Sequence, residues 1–189
     1  MIKKDFNMAL LNKKLVLLHP EKLNKKQIMT IEKSIVLNQG LGNLKFGMGI
    51  DEIVSLLGNP NEVETIGEDL EMPTTVLHYA ELGLSLFFDY EMLYNKDLGM
   101  PWEQTTQFER PSDREILACI DIDAEDTVLF GEKVIGKSSQ EIVKLMVSNG
   151  IIKQTMDKEV WGEERISFED YAIDFFFVED KLLSINFGK

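Results

Sequence analysis

Gly47-Met48-Gly49-Ile50-Asp51-Glu52-Ile53-Val54-Ser55-Leu56-Leu57 returns 89 positions later as Gly136-Lys137-Ser138-Ser139-Gln140-Glu141-Ile142-Val143-Lys144-Leu145-Met146. Without a gap, the same offset aligns Leu77-His78-Tyr79 with Ile166-Ser167-Phe168. It also aligns Leu84-Ser85-Leu86-Phe87-Phe88 with Ile173-Asp174-Phe175-Phe176-Phe177. Three matches in one register mark an internal duplication. A further stretch, Leu117-Ala118-Cys119-Ile120-Asp121-Ile122, resembles Leu182-Leu183-Ser184-Ile185-Asn186-Phe187 at an offset of 65. The first copy therefore carries 24 extra residues, within about Glu91 to Arg114.

Working outward, Ile50, Ile53, Val54 and Leu57 recur at spacings of three and four and predict a short amphipathic helix. Ile142, Val143, Leu145 and Met146 form its less regular counterpart, with Ser138 or Ser139 as N-cap. Gly58-Asn59-Pro60 ends the first helix, since glycine suits a left-handed cap and proline cannot continue the turn. Alternation then predicts a hairpin in each copy. Leu77, Tyr79, Leu84, Leu86 and Phe88 point one way in the first, as do Ile166, Phe168, Ile173, Phe175 and Phe177 in the second. The turns fall near Ala80-Glu81-Leu82-Gly83 and Glu169-Asp170-Tyr171-Ala172. A third strand follows, with Ala118, Ile120 and Ile122 facing inward, matched by Leu183, Ile185 and Phe187. Before the repeat, Asn24-Lys25-Lys26-Gln27 has the form of a capping box, and Ile28, Ile31 and Ile35 make one stripe. That predicts a helix from about Lys25 to Val36.

The expected fold is α+β: two tandem repeats, each a short helix plus an antiparallel three-stranded sheet, after an N-terminal helical segment. The boundaries read as 1–43 for the basic N-terminal segment, 44–126 for the first repeat with its insertion at about 91–114, and 127–189 for the second.

Composition narrows the class. Of 189 residues 44% are hydrophobic and 28% charged, the balance of a globular chain. No apolar run reaches the roughly 18–20 residues that span a bilayer. Met1-Ile2-Lys3-Lys4 starts like a signal peptide, but Asn12-Lys13-Lys14 breaks the apolar region and no small-residue cleavage site follows. With no cysteine near the N-terminus for a lipid anchor, the expected location is cytoplasmic and no membrane partner is expected. The single cysteine, Cys119, has no internal partner and sits in an apolar stretch, as a buried hydrophobe does. The net charge is −13, unevenly spread. Residues 1–40 hold eight lysines against three acids, and the remainder 12 basic against 30 acidic residues, a net −18. Such a body repels phosphate backbones, so no nucleic-acid partner is expected, and it attracts cationic proteins.

Phe46-Gly47-Met48, Glu52-Ile53-Val54, Leu57-Gly58 and Pro60, followed by a hairpin, resemble the small lipoproteins of the outer-membrane assembly machinery (the SmpA/OmlA type). The pattern is also similar to the tandem-repeat β-lactamase inhibitor proteins, which double that unit. The resemblance covers residues 44–189 and implies two antiparallel sheets flanked by helices, with exposed sheet faces available for protein contact. The chain departs from the lipoproteins in lacking an export signal and lipidated cysteine, and from the inhibitors in lacking a disulfide. Val147-Ser148-Asn149 replaces Gly58-Asn59-Pro60 in the second copy.

Catalytic equipment is sparse. There are two histidines, His19 and His78, and no serine or cysteine motif accompanies either. The run from Asp121 to Glu132 imitates a calcium loop, yet Asp126 stands where glycine must turn the chain and a strand precedes it. The glycines at 40–49 lack a phosphate-loop lysine. No metal and no cofactor are expected. Phe87 and Phe176 occupy equivalent positions on the face opposite the apolar stripe, where they either pack under another element or anchor a partner. Trp102 and Phe108 in the insertion, Trp161 in the second copy, and the Asp121/Asp123 pair complete the candidate partner-binding set. The expectation is a non-catalytic protein-binding module, most specifically an immunity-type inhibitor of a basic toxin or enzyme. The alternatives are a hydrolase using carboxylates and an envelope-assembly adaptor. Oligomeric state is not legible in these residues.

Overall fold

The computed structural model describes residues 31–94, 109–158 and 162–189. β1 (Ser34–Val36) and β2 (Gly40–Leu41) precede the first copy, which contains β3 (Leu44–Lys45), α1 (Ile50–Leu57), β4 (Glu62–Ile66), β5 (Thr74–Tyr79), β6 (Leu84–Tyr94) and β7 (Glu109–Ile122). The second contains β8 (Val128–Leu129), β9 (Glu132–Lys133), α2 (Ser139–Ser148), β10 (Thr155–Lys158), β11 (Glu163–Phe168), β12 (Ile173–Val178) and β13 (Lys181–Gly188). The starts of α1 and α2, of β5 and β11, and of β6 and β12 are each 89 residues apart, so the duplication read in the sequence is a duplication of elements.

The α+β expectation is overturned, because the described residues are predominantly β. Eight strands form one antiparallel sheet in the order β10-β11-β12-β13-β7-β6-β5-β4. The two copies do not make separate three-stranded sheets. Each contributes four strands, and the halves join where β7 pairs with β13. The strands missed by periodicity are the outermost ones: every side chain of β4 and β10 is exposed, so neither carries an alternating apolar signal. Their charged residues, Glu62, Glu64, Asp157 and Lys158, also discourage further edge pairing. The helix expected over Lys25–Val36 is contradicted where it can be seen, since Ser34–Val36 is strand; its earlier part lies outside the described residues.

A smaller sheet, β3-β2-β1-β8-β9, mixes the copies, with β1 parallel to β8 through Ser34–Val128 and Ile35–Leu129. Ile35, Leu41, Leu44, Leu129 and Val134 from this region join Ile53 of α1 and Ile142 and Met146 of α2 in a single core with the large sheet. On the sheet's side the core holds the alternating set from the sequence, including Phe88, Phe168, Phe175, Phe177 and Phe187, each at most 1% exposed. Each such ring contributes about 1.5–3 kcal/mol of burial free energy.

One local device is repeated in both copies. A β-bulge falls between Phe87 and Phe88 on β6 against β7, and between Phe176 and Phe177 on β12 against β13. The extra residues are Ala118 and Leu183. Both were expected to face inward, but the bulge switches the phase: Leu117 and Leu182 enter the core and Leu183 is 50% exposed. A bulge also frees backbone groups from the ladder. Leu117 uses its pair to hold the loop before α1, accepting from Gly47 N (2.9 Å) and donating to Met48 O (2.8 Å). Leu182 does the same with Gly136 N and Lys137 O, both at 2.8 Å. Positive φ at Gly47 (90°) and Gly136 (86°) is why glycine recurs there. The N-cap of each helix comes two residues later and is closed by a glutamate: Glu52 accepts from Gly49 N (2.7 Å) and Glu141 from Ser138 N (2.9 Å).

The 24-residue excess of the first copy is not simply a loop. It lengthens the hairpin, so that β6 and β7 run 11 and 14 residues against 6 and 8 for β12 and β13. Residues 95–108, with Trp102 and Phe108, lie outside the described residues, as does Trp161.

The turns into β6 and β12 show the copies compensating differently. Gly83 and Ala172 are equivalent and both left-handed, at φ 63° and 46°. A Cβ on Gly83 would sit 2.3 Å from Asp123 Oδ1. The position equivalent to Asp123 is Gly188, which leaves the Ala172 methyl room. The backbone bond is kept in both copies, Asp123 N to Gly83 O (3.1 Å) and Gly188 N to Ala172 O (2.9 Å). Gly83→Ala is therefore expected to lower stability by about 1–3 kcal/mol, combining left-handed strain with the clash. Adding Asp123→Gly should restore the clash part only, and denaturant unfolding of the two singles and the double measures that coupling.

Candidate functional site

The helices and small sheet cover one face of the large sheet, and the other face holds the candidate site. Alternation along β5, β6, β11 and β12 turns Phe87 and Phe176 onto that face, together with His78, Ser85, Ser167 and Asp174. Cross-strand pairing links one row across all eight strands: Glu62, His78, Ser85, Asp121, Asn186, Asp174, Ser167 and Thr155. Every one of these residues is polar.

Asp121 and Asn186 are equivalent positions of the two copies and are also cross-strand partners. Their neighbours pair reciprocally, Ile122 with Ile185 and Ile120 with Phe187. A pseudo-twofold axis thus passes through the Asp121–Asn186 pair, at the centre of the face. The two carboxylates of the sequence-derived set, Asp121 and Asp123, are brought together here. The rest of that acidic run disperses: Asp126 pairs with Lys33 (2.8 Å) and Glu132 with Lys137 (3.0 Å). Among the described residues no cluster of His, Cys, Asp and Glu has the arrangement of a metal site.

Around the axis the face is strongly acidic. Glu62, Glu64, Asp89, Asp121 and Asp123 lie on the first copy's half, and Asp157, Glu163 and Asp174 on the second's. Against these eight carboxylates stand Arg165, bonded to Asp157 (2.6 Å), His78, Lys181 opposite Val178, and Lys158 at the sheet's edge. Burial, then the like charge of Asp123, pushes the Asp121 carboxyl above the usual carboxylate range, while a hydrogen bond from Asn186 acts against the rise. Cys119 is on the same face, half-buried, and donates from Sγ to Asn186 Oδ1 (3.1 Å). Burial pushes this thiol up to about 11, which leaves it protonated and unreactive at neutral pH.

Three shallow depressions mark the face. One of about 260 Å³ is polar and lies on the first half, lined by His78, Ser85, Asp121 and Asp123. One of about 180 Å³ lies on the second half, between Phe176, Val178, Leu183, Glu163 and Asp121. The third, of about 350 Å³, lies on the other side of Phe176 among Asp157, Lys158, Glu163 and Arg165. Phe87 and Phe176 are thus equivalent in register and different in setting. Phe87 pairs across strands with the fully buried Val76, whereas Phe176 pairs with Arg165 and borders two depressions.

The polar depression contains a contact that the sequence did not reveal. His78 Nδ1 lies 2.9 Å from Ser85 Oγ, and its Nε2 lies 3.1 Å from Glu64 Oε2. Ser85, His78 and Glu64 come from three adjacent strands, so no local motif could have shown them. The only signal was that positions 78 and 85 share one face in the hairpin register. The chain of contacts has the order of a nucleophile, base and orienting acid. Asp121, the cross-strand partner of Ser85, lines the same depression, and a carboxylate beside the hydroxyl opposes the growth of an oxyanion there. Hydrolysis of p-nitrophenyl acetate by Ser85→Ala is accordingly expected to match that of the parent protein; a drop of about tenfold or more would show a catalytic serine.

The raised Asp121 carboxyl has a consequence for stability. An acid whose folded pKa exceeds its unfolded value favours the folded state at low pH and loses that contribution as pH rises through the folded pKa. Asp121→Asn removes the charge and keeps an amide oxygen for Asn186. The variant is expected to be more stable than the parent at neutral pH, with the difference shrinking as pH falls through the carboxylate range. Thermal unfolding across pH tests this, and a pH-independent difference would contradict it.

No family model matches the chain, and no curated protein is similar to it in sequence. A solved structure that it resembles is an extracellular protein containing a SCP domain from Bacillus anthracis, at a TM-score of 0.39 and 9% identity. The match covers 76% of this chain and 43% of that one, and so loose a superposition carries no argument.

Proposed function

We propose that this protein is a non-catalytic binding module whose open sheet face docks a basic protein, with an immunity-type inhibitor as the most specific form of that reading. The observation that carries it is the charge of the face, eight carboxylates against Lys181, the edge residue Lys158, and Arg165, which is already paired with Asp157. A field of one sign on a broad, shallow surface speeds encounter with an oppositely charged partner and suppresses like-charged ones. The half-buried and exposed apolar groups among those acids, Phe176, Val178 and Leu183, are the kind of residues on which binding energy concentrates. The mismatch between the Ser85–His78–Glu64 contact and its acidic surroundings favours binding over chemistry.

The test starts with capture of the partner by the tagged protein from its native cells at low ionic strength, followed by association kinetics with the purified partner. Asp121→Lys and Asp174→Lys are each expected to slow association by about tenfold and to flatten its salt dependence. Lys144→Glu, on an exposed turn of α2 on the opposite side, should leave the rate unchanged. An association rate indifferent to salt and to both open-face reversals would overturn the reading.

A further inference from the structure

The duplication provides an internal control for where on this face a partner is anchored, and an anchoring site inferred from it rests on the docking role of the open face. The two halves share a backbone frame, so differences at equivalent positions show what each half has been given. Phe176, Val178 and Leu183 of the second copy correspond to Phe87, Asp89 and Ala118 of the first. The second half therefore presents three apolar side chains where the first presents one large one.

Their exposure is a product of the fold. Val178 is 41% exposed at the end of β12, and Leu183 is 50% exposed because the bulge pushes it out of the ladder. With Phe176 they wall the depression of about 180 Å³, whose remaining lining includes the carboxylates of Asp121 and Glu163. In the first copy the corresponding ground is closed by polar contacts: Thr74 Oγ1 donates to Asp89 Oδ1 at 2.6 Å. A large apolar side chain leaving water for the Phe176 depression gains burial, and a cation beside it meets Asp121 or Glu163. Neither gain is available to an acidic or wholly polar segment.

The geometry points to the Phe176–Val178–Leu183 depression as the anchoring seat of the open face, taking one large apolar side chain of a partner segment with a lysine or arginine next to it. The occupant is a basic protein segment, chosen by charge complementarity with the surrounding acids. Asp121, which lines both this seat and the polar depression across the pseudo-twofold axis, is the group shared between the seat and the rest of the face.

The experiment selects binders to the immobilised full chain from a random peptide library displayed on phage, then measures affinities of the synthesised peptides. The expected winners carry an aromatic or large aliphatic residue within a few positions of a lysine or arginine. Leu183→Asp and the milder Leu183→Ala, both at an exposed bulge, should weaken them by about tenfold or more, and Ala118→Asp at the equivalent bulge by about twofold or less. Peptides that respond to Phe87→Ala or Asp123→Asn and not to Leu183 would overturn the seat while leaving the docking face standing. Peptides indifferent to all of these would overturn both. Self-association of the parent chain abolished by Leu183→Asp would make a second copy the occupant. Peptide affinity that rises with salt would make the basic residues 1–30 the occupant. Either result would overturn the proposal.

Discussion

The antiparallel pairing of β7 with β13 is the contact on which the rest of the molecule depends. It joins two four-stranded halves into one sheet and sets Asp121 against Asn186 on the pseudo-twofold axis. It also brings Ile120, Ile122, Ile185 and Phe187 together on the core side, where all four are essentially inaccessible to water. Parity does the remainder. Because side chains alternate along a strand, fixing four pairs at the seam fixes which residues of β7 and β13 beside it face the core and which form the acidic face.

The paired bulges couple that seam to the helices. Each switches the phase of a central strand, sends Leu117 or Leu182 into the core, and releases one backbone N–H and C=O to the loop before the helix. The glycine of that loop is retained in both copies because its φ is near 90°. The surface consequence differs between copies, since the residue expelled by the bulge is alanine in one and leucine in the other. A single structural device thus yields a quiet surface in the first half and an apolar projection in the second.

Duplication followed by divergence also explains how the face acquired its chemistry. His78 and Ser167 are equivalent, as are Ser85 and Asp174, and Asp123 and Gly188. A polar depression with a histidine and two aspartates lies on one side of the axis, and an apolar seat on the other. A local constraint accompanies these exchanges: the Asp123 carboxylate crowds the space a Cβ at 83 would take.

The sequence by itself determined the elements whose physics is local. The repeated glycine-led motif carried both helices and the capping serine, and two-residue alternation carried the hairpins and nearly all of the core. It also placed Phe87 and Phe176 on the face away from that core. It could not show β4 and β10, which bury nothing, nor the bulges, which break the alternation being read, nor the strand at Ser34–Val36, which pairs with the two-residue β2 on one side and on the other with β8, more than ninety residues away. Only the tertiary structure decided that the two copies share one sheet, that His78 meets Ser85 and Glu64, and that Leu183 stands beside Phe176. Each of these is a pairing between distant segments, and such pairings are set by which buried surfaces fit together rather than by any pattern within one segment.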